Sequence, residues 1–386
     1  MVRPSAQRER EIGLEVFYTD TPGTGGKLKA CPEDFVVEEV SKYPPERPDG
    51  RYCVARVTAT NWETNRLVRH MAKALGISRN GIGFAGTKDK RAVTTQLMSF
   101  EAPVERVMAL RIPQVRIDGG YMARRGMALG DLVGNAFKVT VRGTELRGSA
   151  LRSSLEGTEE ALRELGGFPN FFGVQRFGAV RPVTHLVGRA IVKGEMERAV
   201  LLYIGNPSED EEGPSREARE ALERDRDYSA ALRTFPRTLT FERMVIGYLE
   251  RNPEDYAGAI RVLPPNLQMM FVHAYQSYLF NVILSERMRR GIPLNAPIVG
   301  DVVLPADRDG NPDHDKPVPV TEANLDLVER QVRERRAFVS ATLFGYGSEL
   351  AEGEMGEIER RAIEREGLSP RDFLVPQVPH CSSKGS

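Results

Sequence analysis

The segment densest in chemistry is 81–96, GIGFAGTKDKRAVTTQ, where one carboxylate, Asp89, stands among Lys88, Lys90 and Arg91. Opposite charges nearby favour the ionised form of a carboxylate, and the same cations attract phosphates. An ionised aspartate in a basic setting suits nucleophilic or general-base work on a nucleic acid. A hairpin turn with merely solvated charges is the plainer account of the same residues. Gly81, Gly83 and Gly86 also spell G-x-G-x-x-G, the pattern of a dinucleotide site, with Thr87 and Lys88 following. That site needs a strand before the glycines and a helix after them, so that the helix N-terminus meets the pyrophosphate. Here the order is reversed, because a helical pattern ends near Leu75 and AVTTQLMSF, rich in β-branched residues, follows. A nucleotide-dependent enzyme is the weakest of the readings, and it rests on these glycines alone.

The elements that position Asp89 are legible from periodicity. FVVEEV (35–40) and YCVARVT (52–58) alternate as strands, the second with Tyr52, Val54 and Arg56 on one face and Cys53, Ala55 and Val57 on the other. TNWETNRLVRHMAKALG predicts an amphipathic helix: Leu67, Val68, Met71 and Leu75 form the apolar stripe, Arg66, His70 and Lys73 a basic side, and Gly76 the stop. IGFAG reads as a strand turning tightly through Gly86, and NAFKVTVR as a half-buried strand that sets Phe137, Val139 and Val141 on one face. Long helical patterns dominate after Gly178. They are ERAVLLYIG, 217–233, and LQMMFVHAYQSYLFNVILSERMRRG with Met270, Phe271, Ala274, Tyr278 and Val282 as a buried stripe; a further helix is expected from Glu322 to Arg336, capped by Thr321. The acidic segment 207–217 reads as an exposed loop.

Composition narrows the class. The 386 residues carry 54 basic and 54 acidic side chains, but residues 1–181 hold 28 against 21 and residues 182–386 hold 26 against 33. An excess of positive charge on one half points to a polyanion there. Arg outnumbers Lys 44 to 10, which suits bidentate phosphate contacts. With 40% hydrophobic residues the chain builds real cores, and its length implies about two domains. No run approaches the ~18 apolar residues of a spanning helix, and MVRPSAQRER lacks the apolar stretch of a signal peptide. A soluble cytoplasmic protein with no membrane association is expected. Cys31, Cys53 and Cys381 are too scattered for a disulfide framework or a zinc pair, and the five histidines, His314 in the turn PDHDK among them, show no ligand spacing; no metal is expected.

Four ordered segments carry a resemblance. AGTKDKRAVTTQ, LKACPEDFVVEEV (28–40), LGDLVGNAFKVTVR (129–142) and PNFFGVQRFG (169–178) resemble the motifs of the tRNA pseudouridine synthase D (TruD) family, with Phe171 where the family usually has Tyr. HAYQSYLFNVILSERM, GDVV and ATLFGYGSE extend the likeness more weakly. The resemblance implies an α+β fold: a pseudouridine synthase-type catalytic domain with a mixed or antiparallel sheet, and an inserted, mostly helical α/β domain. The expected boundaries are 1–167 for the first part of the catalytic domain and 168–372 for the insertion. Residues 373–386 are expected to start the return to the catalytic domain, and to be cut short there.

The function implied is isomerisation of uridine to pseudouridine in tRNA, at uridine 13, by a monomer without a cofactor. By likeness Asp89 is the catalytic aspartate, and attack on the ribose and its deprotonation stay open as its role. Phe137 matches the aromatic that receives the target base, although alternation with Val139 and Val141 reads it as core. Asn135 matches a substrate-binding position, where an Asn after Gly134 is ordinarily a turn residue. Phe35 matches a substrate-contacting aromatic and otherwise reads as a strand residue; Lys29 matches an active-site lysine and otherwise reads as solvated. Gln175 and Arg176 are candidate cleft residues, while Phe171, Phe172 and Phe177 read as core. An incomplete sheet with an unpaired edge motivates a rival: a catalytically impaired RNA-binding or folding protein on the same scaffold, which binds tRNA in a salt-sensitive way without isomerising it.

Overall fold

Strands Tyr52–Thr60 and Val93–Phe100 are largely buried, as central strands covered on both faces must be, and they lie at the middle of a six-stranded sheet. We number the strands β1 (Phe35–Ser41), β2 (Tyr52–Thr60), β3 (Ile82–Phe84), β4 (Val93–Phe100), β5 (Val115–Ala123) and β6 (Leu132–Val139). The order is β5-β2-β4-β1-β6, with β3 paired to β4. Only β1 and β4 run parallel, so the sheet is mixed. Helix α1 (Thr64–Leu75) covers one face, its Leu67, Val68, Met71 and Leu75 packing on Cys53, Ala55, Val57, Met98 and Phe100. Glu63 caps α1 by accepting from the Asn65 and Arg66 amides, and Gly76 ends it at φ 64°, a left-handed conformation that glycine adopts without strain.

The computed structural model describes residues 3–211, 213–308 and 310–386. Their contacts group into two compact units: a sheet unit, Pro22–Leu155, and a helical unit, Met1–Thr21 with Glu156–Ser386. The change of unit falls at 155/156, inside helix Gly148–Glu164, where the sequence placed a domain boundary at 167/168.

The helical unit is built around helix Pro265–Arg289, which buries residues on most of its sides rather than along one stripe. Phe271, Ala274 and Val282 are buried as expected, but Met270 is exposed. Gly188 of helix Thr184–Val192 lies against it so closely that a Cβ would come 2.0 Å from the Phe271 carbonyl oxygen. The first residues of the chain belong here because the long helix holds their backbone: Asn281 donates to the Ile12 carbonyl and Ser285 to that of Gly13. Phe373, Val375, Val378 and Cys381 join the same core, and Leu343 exchanges backbone hydrogen bonds with Ser386.

Two local expectations shift. Residues 213–217, read as loop, open the helix Gly213–Asp225, while Glu212 lies outside the described residues. The helix expected from Glu322 runs Leu325–Arg333, with Asn324 rather than Thr321 at its cap position.

Candidate active site

Asp89 sits in the loop 85–92 between β3 and β4, and three anchors fix that loop. The Lys88 amide donates to Thr64 Oγ1 at the start of α1 (2.8 Å), the Asn61 amide to the Ala92 carbonyl (2.9 Å), and the Arg91 guanidinium to the Ala30 carbonyl (2.6 Å). Lys88 turns its ammonium inward, onto the fully buried carboxylate of Glu39 on β1. Glu39 also accepts from the Leu97 amide and the Ser41 hydroxyl. A buried charge needs both a partner and hydrogen bonds, and Glu39 has them.

The expected collar of Lys88, Lys90 and Arg91 around Asp89 is therefore not what forms. Lys88 and Arg91 are engaged elsewhere, and the cation that reaches Asp89 is Lys29, whose Nζ lies 3.0 Å from Oδ2. Sequence adjacency misled because successive residues of an extended loop point in different directions.

Lys29 has φ 52°, in the left-handed region that a non-glycine residue enters only at a cost of roughly 1–2 kcal/mol. Its pair with Asp89 is half exposed, and exposed pairs are worth about 0.2–1 kcal/mol. The same ammonium lies 3.9 Å from the centroid of the Phe35 ring, and Phe35 meets Phe137 with centroids 5.8 Å apart and planes at 58°. Asp89, Lys29, Phe35 and Phe137 thus form one contiguous chain of contacts.

Strand register explains the convergence. On the antiparallel β1/β6 ladder Phe35 lies opposite Val139, Val37 opposite Phe137, and Glu39 opposite Asn135. Opposed residues share a face and the period is two, so Phe35, Glu39, Asn135 and Phe137 are all on one side, the aromatics as a diagonal pair. Asn135 is exposed on this face.

The reading of NAFKVTVR as a half-buried strand, with Phe137 as core, is overturned. β6 is the edge of the sheet, Phe137 is 59% exposed, and Val139 and Val141 are exposed too. Alternation marks one face of a strand but cannot tell a covered face from an open one.

The loop carrying Lys29 is tied down by Asp34. Arg142 Nε donates to both Asp34 oxygens (2.8 and 2.9 Å), and the Cys31 amide to Oδ2 (3.1 Å). The Arg142 guanidinium holds this carboxyl down to about 2, with the Cys31 amide helping and burial opposing. Neither this clamp nor the Glu39–Lys88 pair is apparent in the sequence reading; the one available signal was Glu39 at an inward position of an alternating strand.

The glycine decoy has a packing explanation. Gly83 lies on β3, after a helix and before a strand, and a Cβ there would come 2.4 Å from the Met127 carbonyl oxygen.

In PNFFGVQRFG, which belongs to the helical unit, Phe177 is fully buried and Phe171 and Phe172 are partly buried against its small clusters. Asn281 Oδ1 accepts from the Phe172 amide. Arg176 donates to Ser277, and Gln175 is exposed. Among the described residues, no group of three or more His, Cys, Asp or Glu comes together in a way that suits a metal ion.

A family model described as tRNA pseudouridine synthase D (TruD) matches residues 11–386. A protein of Methanococcoides burtonii named "Probable tRNA pseudouridine synthase D" is 43% identical over 378 residues, covering 98% of this chain and 86% of its own. One of the same name from Thermoplasma acidophilum is 42% identical over 359 residues, covering 93% and 84%. The crystal structure of the tRNA pseudouridine synthase D homologue from Methanosarcina mazei superposes with a TM-score of 0.92 at 41% identity, covering 99% of this chain and 88% of that one. With a family model across nearly its whole length and relatives above 40% identity, the chain belongs to the tRNA pseudouridine synthase D family.

Proposed function

We propose that this protein isomerises uridine to pseudouridine in tRNA, at uridine 13, with Asp89 as its catalytic carboxylate and no cofactor. The observation that carries the reading is the contact chain from Asp89 through Lys29 and Phe35 to an exposed Phe137 on the edge strand β6. In the reaction the C1′–N1 bond breaks, uracil rotates, and a C1′–C5 bond forms; C5 loses a proton and N1 ends up bearing one. The balance is redox-neutral and transfers no group to a second molecule, so side chains can supply the acid, base or nucleophile it needs.

Each residue has a part in that sequence. The target nucleotide has to leave its stack before the ribose is reachable, and Phe137 offers the detached base a face worth about 1–3 kcal/mol. Asn135, two residues along the same strand face, presents an amide to the base edge. Lys29 holds Asp89 Oδ2, which leaves Oδ1 to attack C1′ or to take a proton from the ribose. The sheet unit carries 22 basic against 13 acidic residues and the helical unit 32 against 41, which supports RNA contact on the sheet side. No helix among the described residues is long and apolar enough to cross a membrane, and we place the activity in the cytoplasm.

The test is tritium release from an unmodified tRNA transcript labelled at uracil C5. The protein is expected to release label in multiple turnovers, and Asp89→Asn to release it at least about a thousandfold more slowly. Undiminished release by Asp89→Asn would remove the carboxylate from the mechanism. Salt-sensitive tRNA binding with no release by the unaltered protein would favour the RNA-binding rival. Release that persists after U13 of the transcript is replaced by C would exclude position 13 as the target.

A further inference from the structure

The basic side of α1 has a feature the catalytic reading does not use. Arg66, Arg69 and Lys73 are all exposed on its solvent face, and among the described residues none of them makes an ion pair. Some exposed helical arginines elsewhere are matched in register, such as Arg216 with Glu220, Arg333 with Glu329 and Arg361 with Glu357, each at i,i+4, while others, such as Arg152 and Arg233, stand singly without an ion pair among the described residues. On α1 the nearest carboxylate, Glu63, is occupied by the helix amides, and Arg69 acts on it only at a distance.

Helix energetics do not favour this arrangement. Like charges three and four residues apart repel, and Arg66 stands in the first turn, where the helix dipole is positive and disfavours a cation. Only Lys73, in the last turn, is favoured by the dipole, so three exposed cations stand on one face beside the Asp89 loop with no ion pair of their own among the described residues. Further side chains extend the ridge: Arg79 donates to Asn65 Oδ1 at 3.0 Å, and Trp62 stands at the head of the helix, its ring 5.5 Å from the Arg66 guanidinium and 5.0 Å from the His70 ring.

Position decides what counter-charge these cations can meet. α1 begins where Thr64 holds the Lys88 amide, one residue from Asp89, and its cations step away by about 4.5–6 Å for each three or four residues. A strand that has a nucleotide at Asp89 and continues towards α1 brings its neighbouring phosphates alongside them.

We propose that the solvent face of α1, Arg66, Arg69 and Lys73 with Arg79 and the Trp62 ring, is a ridge that binds the phosphate backbone of the substrate RNA beside the target nucleotide. This rests on the reading of tRNA as substrate and Asp89 as the reacting carboxylate.

The test uses the full chain, an unmodified tRNA transcript, and the triple variant Arg66→Ala/Arg69→Ala/Lys73→Ala, with thermal melting to confirm folding. The control removes as many exposed cations from the helical unit, as Arg216→Ala/Arg333→Ala/Arg361→Ala. Each lost phosphate contact flattens the slope of log affinity against log salt by about 0.7–0.9, so the triple variant is expected to lose about 2 from the slope. Its KM should rise at least about tenfold at low salt, with kcat at saturating tRNA within about twofold. The control should leave the slope nearly unchanged. An unaltered slope in the α1 variant, or an equal loss in the control, overturns the proposal, as does a KM increase without a change in slope, which would mean a contact other than phosphate. If the unaltered protein binds tRNA with the α1-dependent slope and releases no tritium, the ridge stands and the isomerase reading falls.

Discussion

The helical unit and the sheet unit use charge in opposite ways. In the helical unit Arg219 is fully buried between Glu211 and Glu242, both at 3.0 Å, and Arg287 forks onto Asp301 at 2.6 and 2.9 Å while also donating to the Pro293 carbonyl. These partners are largely buried and close loops onto helices, although the same unit also carries exposed pairs such as Arg163 with Glu159. The sheet unit has one comparable pair, Glu39 with Lys88, and beside it leaves Asp89 half exposed, held by a lysine with a left-handed backbone. Buried charge in the first unit completes packing; in the second the proposed catalytic carboxylate stays accessible. A substitution in the helical unit should therefore register as lost stability, and one at the Asp89 face as lost turnover. The single tryptophan, Trp62, belongs to the sheet unit, so its fluorescence follows that unit, while circular dichroism at 222 nm is dominated by the helices.

The largest expected stability effect is Arg287→Met. It strands Asp301, whose side chain is almost wholly buried, without its counter-ion. Breaking a buried pair from one side costs about 3–5 kcal/mol. Urea unfolding followed by circular dichroism should shift by that amount, with the Trp62 transition moving less. Coincident shifts in both signals would show that the units unfold as one and would dissolve the contrast.

Acid should separate the units next. His185 is buried, with Nε2 3.0 Å from the Glu11 carbonyl oxygen, and burial pushes it down to about 4. The unfolded chain then binds the proton more readily, so His185 contributes stability above about pH 6.5 that is lost as pH falls towards 4, on the order of 3 kcal/mol in all. Glu359, raised by burial, works the other way, gaining stability for the same unit as it is protonated. Comparing the protein with His185→Gln at pH 7 and pH 5 isolates the histidine. In the sheet unit Asp34 is held at about 2, so its contribution stays intact down to about pH 4 and is lost only between there and 2. The circular dichroism transition of the unaltered protein should therefore weaken at pH 5 relative to the variant's while the Trp62 transition holds. A helical transition with equal pH dependence in both proteins would contradict the role given to His185.

The sequence was most readable where a local pattern and its packing agree. α1 was predicted from Leu67, Val68, Met71, Leu75 and the Gly76 stop, and it forms there because that stripe has a sheet to cover. The strand after the glycine run followed from the β-branched residues of AVTTQLMSF, against a nucleotide pattern of the same spelling. What stayed hidden depends on long-range pairing. That Lys29 rather than Lys90 meets Asp89, 60 residues away, follows from the β1/β6 register and the Asp34 clamp, neither of which has a local signature. Whether Phe137 faces core or solvent depends on what lies over an edge strand, which alternation does not encode.

Phe137→Ala tests the open face. The ring is already mostly exposed, so folding should lose little, within about 0.5 kcal/mol by Trp62 fluorescence. Base stacking of about 1–3 kcal/mol would be lost, raising KM for tRNA about five- to 150-fold. A large loss of stability with unchanged KM would return Phe137 to a packing role and erase the difference between the units at its centre.

The smallest effect on folding, and the sharpest division of stability from function, is expected at Lys29→Gly. Glycine accepts φ 52° freely, which relieves about 1–2 kcal/mol of backbone strain, while its added freedom in the unfolded chain costs about 0.5–1 kcal/mol. The exposed pair with Asp89 and the contact over Phe35 each remove a further fraction of a kcal/mol. These terms nearly cancel, so the Trp62 unfolding midpoint should stay within about 1 kcal/mol of the original. Turnover should fall all the same, because Asp89 loses the one cation that, among the described residues, pairs with its carboxylate. If tritium release were unchanged, the left-handed lysine would be an accident of the loop. If stability collapsed instead, the ion pair would be one more structural contact, and the sheet unit would handle charge as the helical unit does.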